Sequence, residues 1–214
     1  MAVPNRCAGP FGAAYSFWIE RERLARIVGR ALWGIDVRPM YRSMGRIGEE
    51  PSGSTIVDVP CGSGVALRAL RPEQRVRYLA IDIDDAMLGR TRTRAAGRAQ
   101  IETLRGDMRA LPLEDGLADL VCCFSGLHMI ERPCDAVTEL SRILRPGGSL
   151  IGSTFLRGGT RRQEMLIAIE QRRGGAPQPF AAHELRAWLA EAGLHEAHVG
   201  EGGFAVFSAR KPPA

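Results

Sequence analysis

The sequence predicts an α/β fold: a mostly parallel sheet with helices on both faces and an antiparallel last strand. Three observations predict it. From Thr55 onward, short apolar runs alternate with amphipathic segments, the order that buries a parallel sheet between helices. Ala118 to Phe124 is nearly continuous in apolar residues, as a strand covered on both faces requires. His195 to Val199 and Phe204 to Ala209 flank Gly200-Glu201-Gly202-Gly203, which signals a hairpin and not a crossover.

Each element follows in order. Residues 1–11 contain Pro and Gly and read as a flexible tail. Residues 12–49 read as a helical cap. Leu24, Ile27, Val28 and Ala31 share one face there, and Pro39 opens a second short helical segment. Glu50-Pro51-Ser52-Gly53-Ser54 is a turn leading into the main unit, residues 50–214. Ile56 to Val59 predicts a first strand ending at a glycine-rich turn, and Val65 to Leu70 the start of a helix. Val76 to Ile81 predicts a second strand closed by Asp82, with Asp84 capping a helix through Ala96. Ile101 to Leu104 and Ala118 to Phe124 are the third and fourth strands. Val137, Leu140, Ile143 and Leu144 mark a helix face stopped by Pro146-Gly147-Gly148, before a fifth strand from Leu150 to Phe155. Residues 156–182 hold Arg157, Arg161, Arg162, Arg172 and Arg173 with Gly158-Gly159 and Gly174-Gly175, a candidate lid suited to an anionic substrate. Leu185, Trp188, Leu189 and Ala192 form the last helix face before the hairpin.

Composition narrows the function classes. The 214 residues are 45% hydrophobic and 25% charged, which excludes a disordered or collagen-like chain. No apolar run approaches the ~20 residues of a membrane helix, and no basic region with an apolar stretch opens the chain. Five Cys without a paired CxxC argue against a disulfide framework and fit a reducing, cytoplasmic setting. The net charge is +5, and among 29 basic residues only Lys211 is not Arg. A basic balance admits a nucleic-acid partner. Scattered Arg is more often a solvated surface, and Arg90, Arg94 and Arg98, spaced by four on one helix face, are expected to be one.

Two positions carry ligand chemistry. Asp58-Val59-Pro60-Cys61-Gly62-Ser63-Gly64 joins strand to helix. Its glycines admit a ligand close to the backbone, and a following helix offers N–H groups to a phosphate or a carboxylate. A tight turn without a ligand is the competing reading. Asp82 ends the second strand, where doubly wound folds place an acid that accepts from ribose hydroxyls. A helix cap or a surface acid is the plainer role.

Further motifs agree in order and spacing: Ala80-Ile81-Asp82-Ile83-Asp84-Asp85-Ala86-Met87-Leu88, Gly106-Asp107-Met108, Leu111-Pro112-Leu113, and Glu139-Leu140-Ser141-Arg142-Ile143-Leu144-Arg145-Pro146-Gly147-Gly148. With these the chain resembles the class I S-adenosylmethionine-dependent methyltransferases, methyltransferase type 11 group, over residues 55–155 and more loosely 181–212. The resemblance implies a Rossmann-like seven-stranded sheet with an antiparallel last strand. It implies S-adenosylmethionine as cofactor and S-adenosylhomocysteine as product. Pro60, Cys61, Gly62 and Gly64 would flank the methionine part, and Asp58 would orient its ammonium. Asp82 would clasp the ribose, with Ile83 and Met87 beside the adenine. Asp107 would accept from the adenine amine and the Met108 N–H would donate to the ring. Phe124 and Ser125 would meet the amino-acid portion by backbone. For Met87 and Met108, plain core packing competes. Pro60 departs from the family pattern, since it stands where the first glycine is usual and lacks an N–H. A dinucleotide site fits less well, because Leu67 stands where that fingerprint wants Gly or Ala.

The expected reaction is direct displacement onto a small-molecule acceptor, with no metal. A base is needed only where the acceptor must lose a proton early. His128, after the fourth strand, is the candidate. Tyr15, Arg38, Tyr41 and His183 read as structural or surface residues. Cys122 and Cys123 read as core, since neighbouring strand residues point to opposite faces and do not converge on zinc. Pro133-Cys134 lies too far down the chain for a nucleophilic Pro-Cys pair. Phe124-Ser125-Gly126-Leu127 lacks the Asn/Asp-Pro-Pro-aromatic pattern of base-amino methyltransferases. An RNA or protein methyltransferase, or a non-catalytic cofactor-binding partner protein, is the alternative.

Overall fold

The computed structural model describes residues 17–98, 100–172 and 178–214. The tail at 1–11, Tyr15, Arg173 and Gly174-Gly175 lie outside the described residues. Seven strands form one sheet, β1 (Thr55–Asp58), β2 (Arg77–Asp82), β3 (Ile101–Arg105), β4 (Ala118–Phe124), β5 (Leu144–Phe155), β6 (His195–Val199) and β7 (Phe204–Arg210). Their order is β3-β2-β1-β4-β5-β7-β6. β7 runs antiparallel to both β5 and β6, so the hairpin reading of the C-terminus holds. The order reverses between β1 and β4. Ligands of such sheets bind outside the carboxyl ends of the strands at that reversal.

The helices are α1 (Glu22–Val28), α2 (Arg38–Met44), α3 (Asp85–Ala95), α4 (Pro133–Ile143), α5 (Arg161–Arg172) and α6 (Ala182–Glu191). Strand alternation feeds two core layers. Val57, Leu79, Ile81, Val121 and Cys123 face Leu140, Ile143, Leu185 and Leu189 of α4 and α6. Ile56, Tyr78, Ala80, Leu120 and Cys122 face the other way, onto α3 and the cap residues Met40, Met44 and Ile47. Cys122 and Cys123 are thus fully buried on opposite faces, as expected of core residues.

Three local expectations need correction. The cap buries Ala25 and Gly29, while Ile27 is 65% exposed. From Gly29 to Trp33 the chain forms a π-helical turn, which rotates its side chains off the 3.6-residue stripe. Val65–Ala69 is one 3-10 turn and not the start of an α-helix. Pro72 disfavours helical backbone at Arg71, so the segment stops at Leu70. β5 is paired from Leu144, but its ladder with β4 breaks between Ala118 and Leu120 and resumes at Ser149. Pro146-Gly147-Gly148 sits in that irregularity. No helix among the described residues is long and apolar enough to cross a membrane.

Candidate functional site

The site starts where β1 ends. Val59 N donates to Cys122 O at 2.9 Å and Cys61 N donates to Ile81 O at 2.8 Å, so the loop is tied to both neighbouring strands. The Val59–Pro60 peptide is cis, and Gly62 and Gly64 are left-handed at φ 53° and 75°. A Cβ built on Gly62 meets nothing within 4 Å, so open space lies against this backbone. Gly62 N donates to Asp82 Oδ2 at 2.9 Å, and Thr91 Oγ1 donates to Gly62 O at 2.9 Å. Cys61 is buried at 6% exposure, its thiol pushed far up by that burial and by the nearby acids.

Asp82 ends β2 almost fully buried. Its second oxygen accepts from Asp84 N at 2.9 Å. Burial raises its pKa, and the Asp84 and Gly62 N–H groups oppose that rise. Asp84 caps α3 as expected, accepting from Ala86 N and Met87 N through Oδ1. Its Oδ2 is buried with no hydrogen-bond partner. Beside it Ile83 stands 53% exposed and Met87 is buried. Asp58 is 1% exposed and accepts from the Tyr78 hydroxyl at 2.8 Å. Burial lifts its carboxyl to about 7, the Asp82 charge adds to the rise, and the Tyr78 bond opposes it.

At the end of β3, Gly106 N donates to Asp82 O at 3.1 Å. Asp107 is clasped by Arg109, whose Nη2 donates to Oδ2 at 2.6 Å, and this bond holds the carboxyl below its usual range. Met108 is buried. At the end of β4, Phe124 is buried and Ser125 takes φ 56°, a left-handed conformation that costs a non-glycine residue energy. Ser125 N donates to Ser153 O at 2.8 Å. The next residue is Gly126, where a Cβ would stand 2.3 Å from Pro60 Cδ. The proline that replaces the usual glycine is therefore seated against a glycine from the neighbouring loop.

His128 is 4% exposed. Phe155 N donates to its Nδ1 at 3.2 Å, and Thr154 Oγ1 lies at 3.2 Å. Burial holds the ring down at about 3, so it is neutral. With Nδ1 accepting, the proton sits on Nε2. The ring also meets Phe155 edge-on at 4.9 Å, and Phe155 meets Phe204 at 5.2 Å and Trp33 at 5.6 Å. A cleft of about 400 Å³ adjoins these rings, lined by Gly34–Asp36, Gly158–Thr160, Gln163 and Gly202–Phe204. A larger hollow of about 670 Å³ lies at the opposite, amino end of β2 and β3, away from every residue named above.

Other expected residues have structural partners. Tyr41 OH donates to Ile19 O, Arg38 pairs with Asp36, and His183 is exposed. The arginine face on α3 is partly solvated, as expected, but two of its arginines also bond within the fold. Arg94 pairs with Glu20 at 2.8 Å and donates to Ser63 O, and Arg98, just past the helix, donates to Leu67 O. These residues stitch the glycine loop to helix and cap. Arg157 pairs with Glu184, and Arg162 donates to Ala31 O, so these two arginines serve contacts within the fold.

Known proteins agree with this architecture. Residues 57–152 match the type 11 family model described as a methyltransferase domain. Residues 57–152 are thus a methyltransferase domain of the type 11 group of class I S-adenosylmethionine-dependent methyltransferases. The chain is 32% identical over 157 residues to malonyl-[acyl-carrier protein] O-methyltransferase of Serratia marcescens, covering 72% of this chain and 51% of that protein. An uncharacterized chloroplastic methyltransferase of Arabidopsis thaliana is 28% identical over 173 residues, 77% of this chain and 49% of that one. The chain thus spans about half the length of these relatives. Among solved structures, phosphoethanolamine N-methyltransferase 2 of Haemonchus contortus, with phosphomonomethylethanolamine and S-adenosylhomocysteine, aligns with TM-score 0.74 at 14% identity. The alignment covers 94% of this chain and 57% of that one, and at that identity it is a likeness of fold.

The family's cofactor fits the residues present. An open space against Gly62, a buried acid flanked by peptide N–H groups, an unpartnered Asp84 oxygen and an exposed Ile83 suit a ribose and a flat apolar base. The structure also brings to this edge residues that sequence reasoning missed. Thr91 holds the glycine loop by its carbonyl, Arg109 fixes Asp107, Gly126 accommodates Pro60, and Phe204 lines the cleft with Phe155 and Trp33 stacked behind it. Only Gly126 left a signal, a glycine two residues past a strand end. The others depend on pairings far apart in the chain.

Proposed function

We propose that the protein binds S-adenosylmethionine across the carboxyl ends of β1, β2 and β4 and transfers its methyl group to a small-molecule acceptor by direct displacement. The observation that supports this reading is the convergence of the Gly62 loop, Asp82, Asp107 and Ser125 at the reversal of strand order. When bound, the cofactor supplies a methyl group already activated on a sulfonium. Asp82 is set to accept from the ribose hydroxyls. Ile83, Met87 and the Met108 N–H serve the adenine, and Arg109 holds Asp107 in place to accept from its amine. Pro60, Cys61, Gly62 and Gly64 with Phe124 and Ser125 bound the amino-acid portion. Asp58, with a carboxyl near 7, ionises in answer to an arriving ammonium.

The acceptor enters the cleft beside Phe204, between Gly34–Asp36 of the cap and the segment from Gly158 to Gln163, which acts as its lid. His128 is a positioning residue and not a base, because its Nδ1 lone pair is taken by the Phe155 N–H. Asp36, the acid lining the cleft, is held at about 2 by Arg38 and is too weak a base. The acceptor therefore arrives in nucleophilic form, as an amine, thiolate or stabilised anion. Buried unpaired thiols at Cys61, Cys122 and Cys123 suit a reducing, cytoplasmic setting.

Calorimetry with S-adenosylmethionine and S-adenosylhomocysteine tests the cofactor reading, and failure of both to bind overturns it. A substrate screen following release of S-adenosylhomocysteine tests the acceptor class. Turnover only of acceptors that must lose a tightly held proton would refute the base-free mechanism.

A further inference from the structure

Among the described residues, the large apolar side chains left exposed are Phe17, Ile27, Leu32, Ile83, Met129 and Met165. Ile83 and Met129 follow the carboxyl ends of β2 and β4. The others lie on the cap and on α5. None lies on α3, α4 or α6, which cover the sheet.

Charge follows the same division. Residues 17–46 hold seven Arg against three acids, and residues 156–172 hold four Arg against two acids, a net of +6 together. Residues 47–155 and 178–214 have a net charge of −3. The two basic segments touch. Arg162 of α5 donates to Ala31 O in the π-helical turn. Leu32 follows Ala31, 55% exposed, and Met165 lies one helical turn beyond Arg162, 56% exposed. Arg23, Arg26, Arg161 and Arg162 are exposed on the same two segments, and Arg21 stacks its guanidinium 3.9 Å over the Phe17 ring. The cleft at Gly34–Asp36 and Gly158–Gln163 begins where these two segments meet.

We infer that this face docks on an anionic lipid surface. Separate apolar side chains set among arginines suit a headgroup boundary, where Ile27, Leu32 and Met165 enter the acyl edge and the guanidinium groups meet phosphates. Arg also spreads its apolar stem along such a boundary while its charge stays in water. The exposed Arg23, Arg26, Arg161 and Arg162 call for a negatively charged partner, which a second copy presenting the same basic face does not offer. The inference goes beyond the methyl-transfer reading and does not depend on it.

The test is co-sedimentation of the full chain with vesicles of phosphatidylcholine alone or with about one-third phosphatidylglycerol. Binding is expected on the mixed vesicles at low salt, and about tenfold weaker binding on phosphatidylcholine or at high salt. The Ile27→Glu/Leu32→Glu variant weakens binding to the mixed vesicles about tenfold, and Met165→Glu weakens it less. These exposed substitutions leave thermal unfolding and cofactor calorimetry unchanged. A lost interaction is thereby separated from misfolding and from failure of the cofactor reading. No sedimentation with mixed vesicles at low salt overturns the inference, as does binding that the double variant leaves intact. Light scattering that shows a dimer dissolved by the double variant also overturns it and assigns the face to a second copy.

Discussion

The two ends of the ligand-binding edge are built by different means. Around β1 and β2 the slot is fixed by peptide groups. Cys61 N, Gly62 N, Asp84 N and Gly106 N are all anchored on the end of β2. Around β5 and β7 the cleft is lined by Gly34–Asp36, Gly158–Thr160, Gln163 and Gly202–Phe204, drawn from three distant segments, with Phe155 and Trp33 stacked behind Phe204. A slot made of backbone needs a contiguous motif. A cleft assembled from distant segments needs only a fold that brings them together. The first is specific to one ligand by geometry, and the second is free to vary in what it accepts.

Substitutions can break this division, and the largest effect is expected in the slot. Asp82→Ala removes the acceptor of two peptide donors, and cofactor affinity should fall about a hundredfold by calorimetry, with circular dichroism unchanged. Gly126→Ala drives a methyl group into Pro60 and should cost about 1–3 kcal/mol of unfolding free energy. The Pro60→Gly/Gly126→Ala double variant should recover most of it. In the cleft, Phe204→Leu should raise the acceptor KM about tenfold and leave cofactor affinity unchanged, because Phe204 lines the cleft and stacks on Phe155. A parallel loss of cofactor affinity would show that the two ends are coupled.

The pH response separates the ends more finely. Asp58 is raised from 3.8 to about 7, so between those values the folded chain keeps a proton that the unfolded chain has lost. Its contribution to stability is full at low pH and is lost as pH rises toward 7. His128 is lowered from 6.5 to about 3, so its contribution is full above 6.5 and is lost as pH falls toward 3. The two oppose each other in weakly acidic solution. Thermal unfolding of Asp58→Asn should lose the alkaline fall, and that of His128→Gln should lose the acidic one. Cofactor binding near pH 6 should release a proton from the wild type and none from Asp58→Asn, read by calorimetry in buffers of different ionisation heat. The smallest effect belongs to Arg109→Gln, about twofold to threefold in cofactor affinity, since Asp107 keeps its backbone partner at Arg109 N.

How much the sequence discloses follows the same line. Asp58, Gly62, Gly64 and Asp82 are legible because strand ends and glycine turns are local patterns. The Glu139 to Gly148 motif is legible too, and its reason is a tie. Arg142 donates to Leu111 O and Leu113 O while Glu139 accepts from Leu111 N, which locks α4 to the loop after β3. The buried face of the cap was not legible, because it packs through the small residues Ala25 and Gly29 and leaves Ile27 in solvent. The roles of Arg94 and Arg98 were hidden as well. Four-residue spacing marks a face, but not what the face meets.

Pro60 and Gly126 also constrain how this chain can change by single steps. With the proline in place, position 126 has room for hydrogen alone. A descendant that gains a side chain there must first lose the proline, since the reverse order passes through a loop whose atoms collide. The order of the two substitutions is set by packing. Related chains should therefore show them as a correlated pair, although the residues are distant in sequence and neither is expected to touch the methyl group.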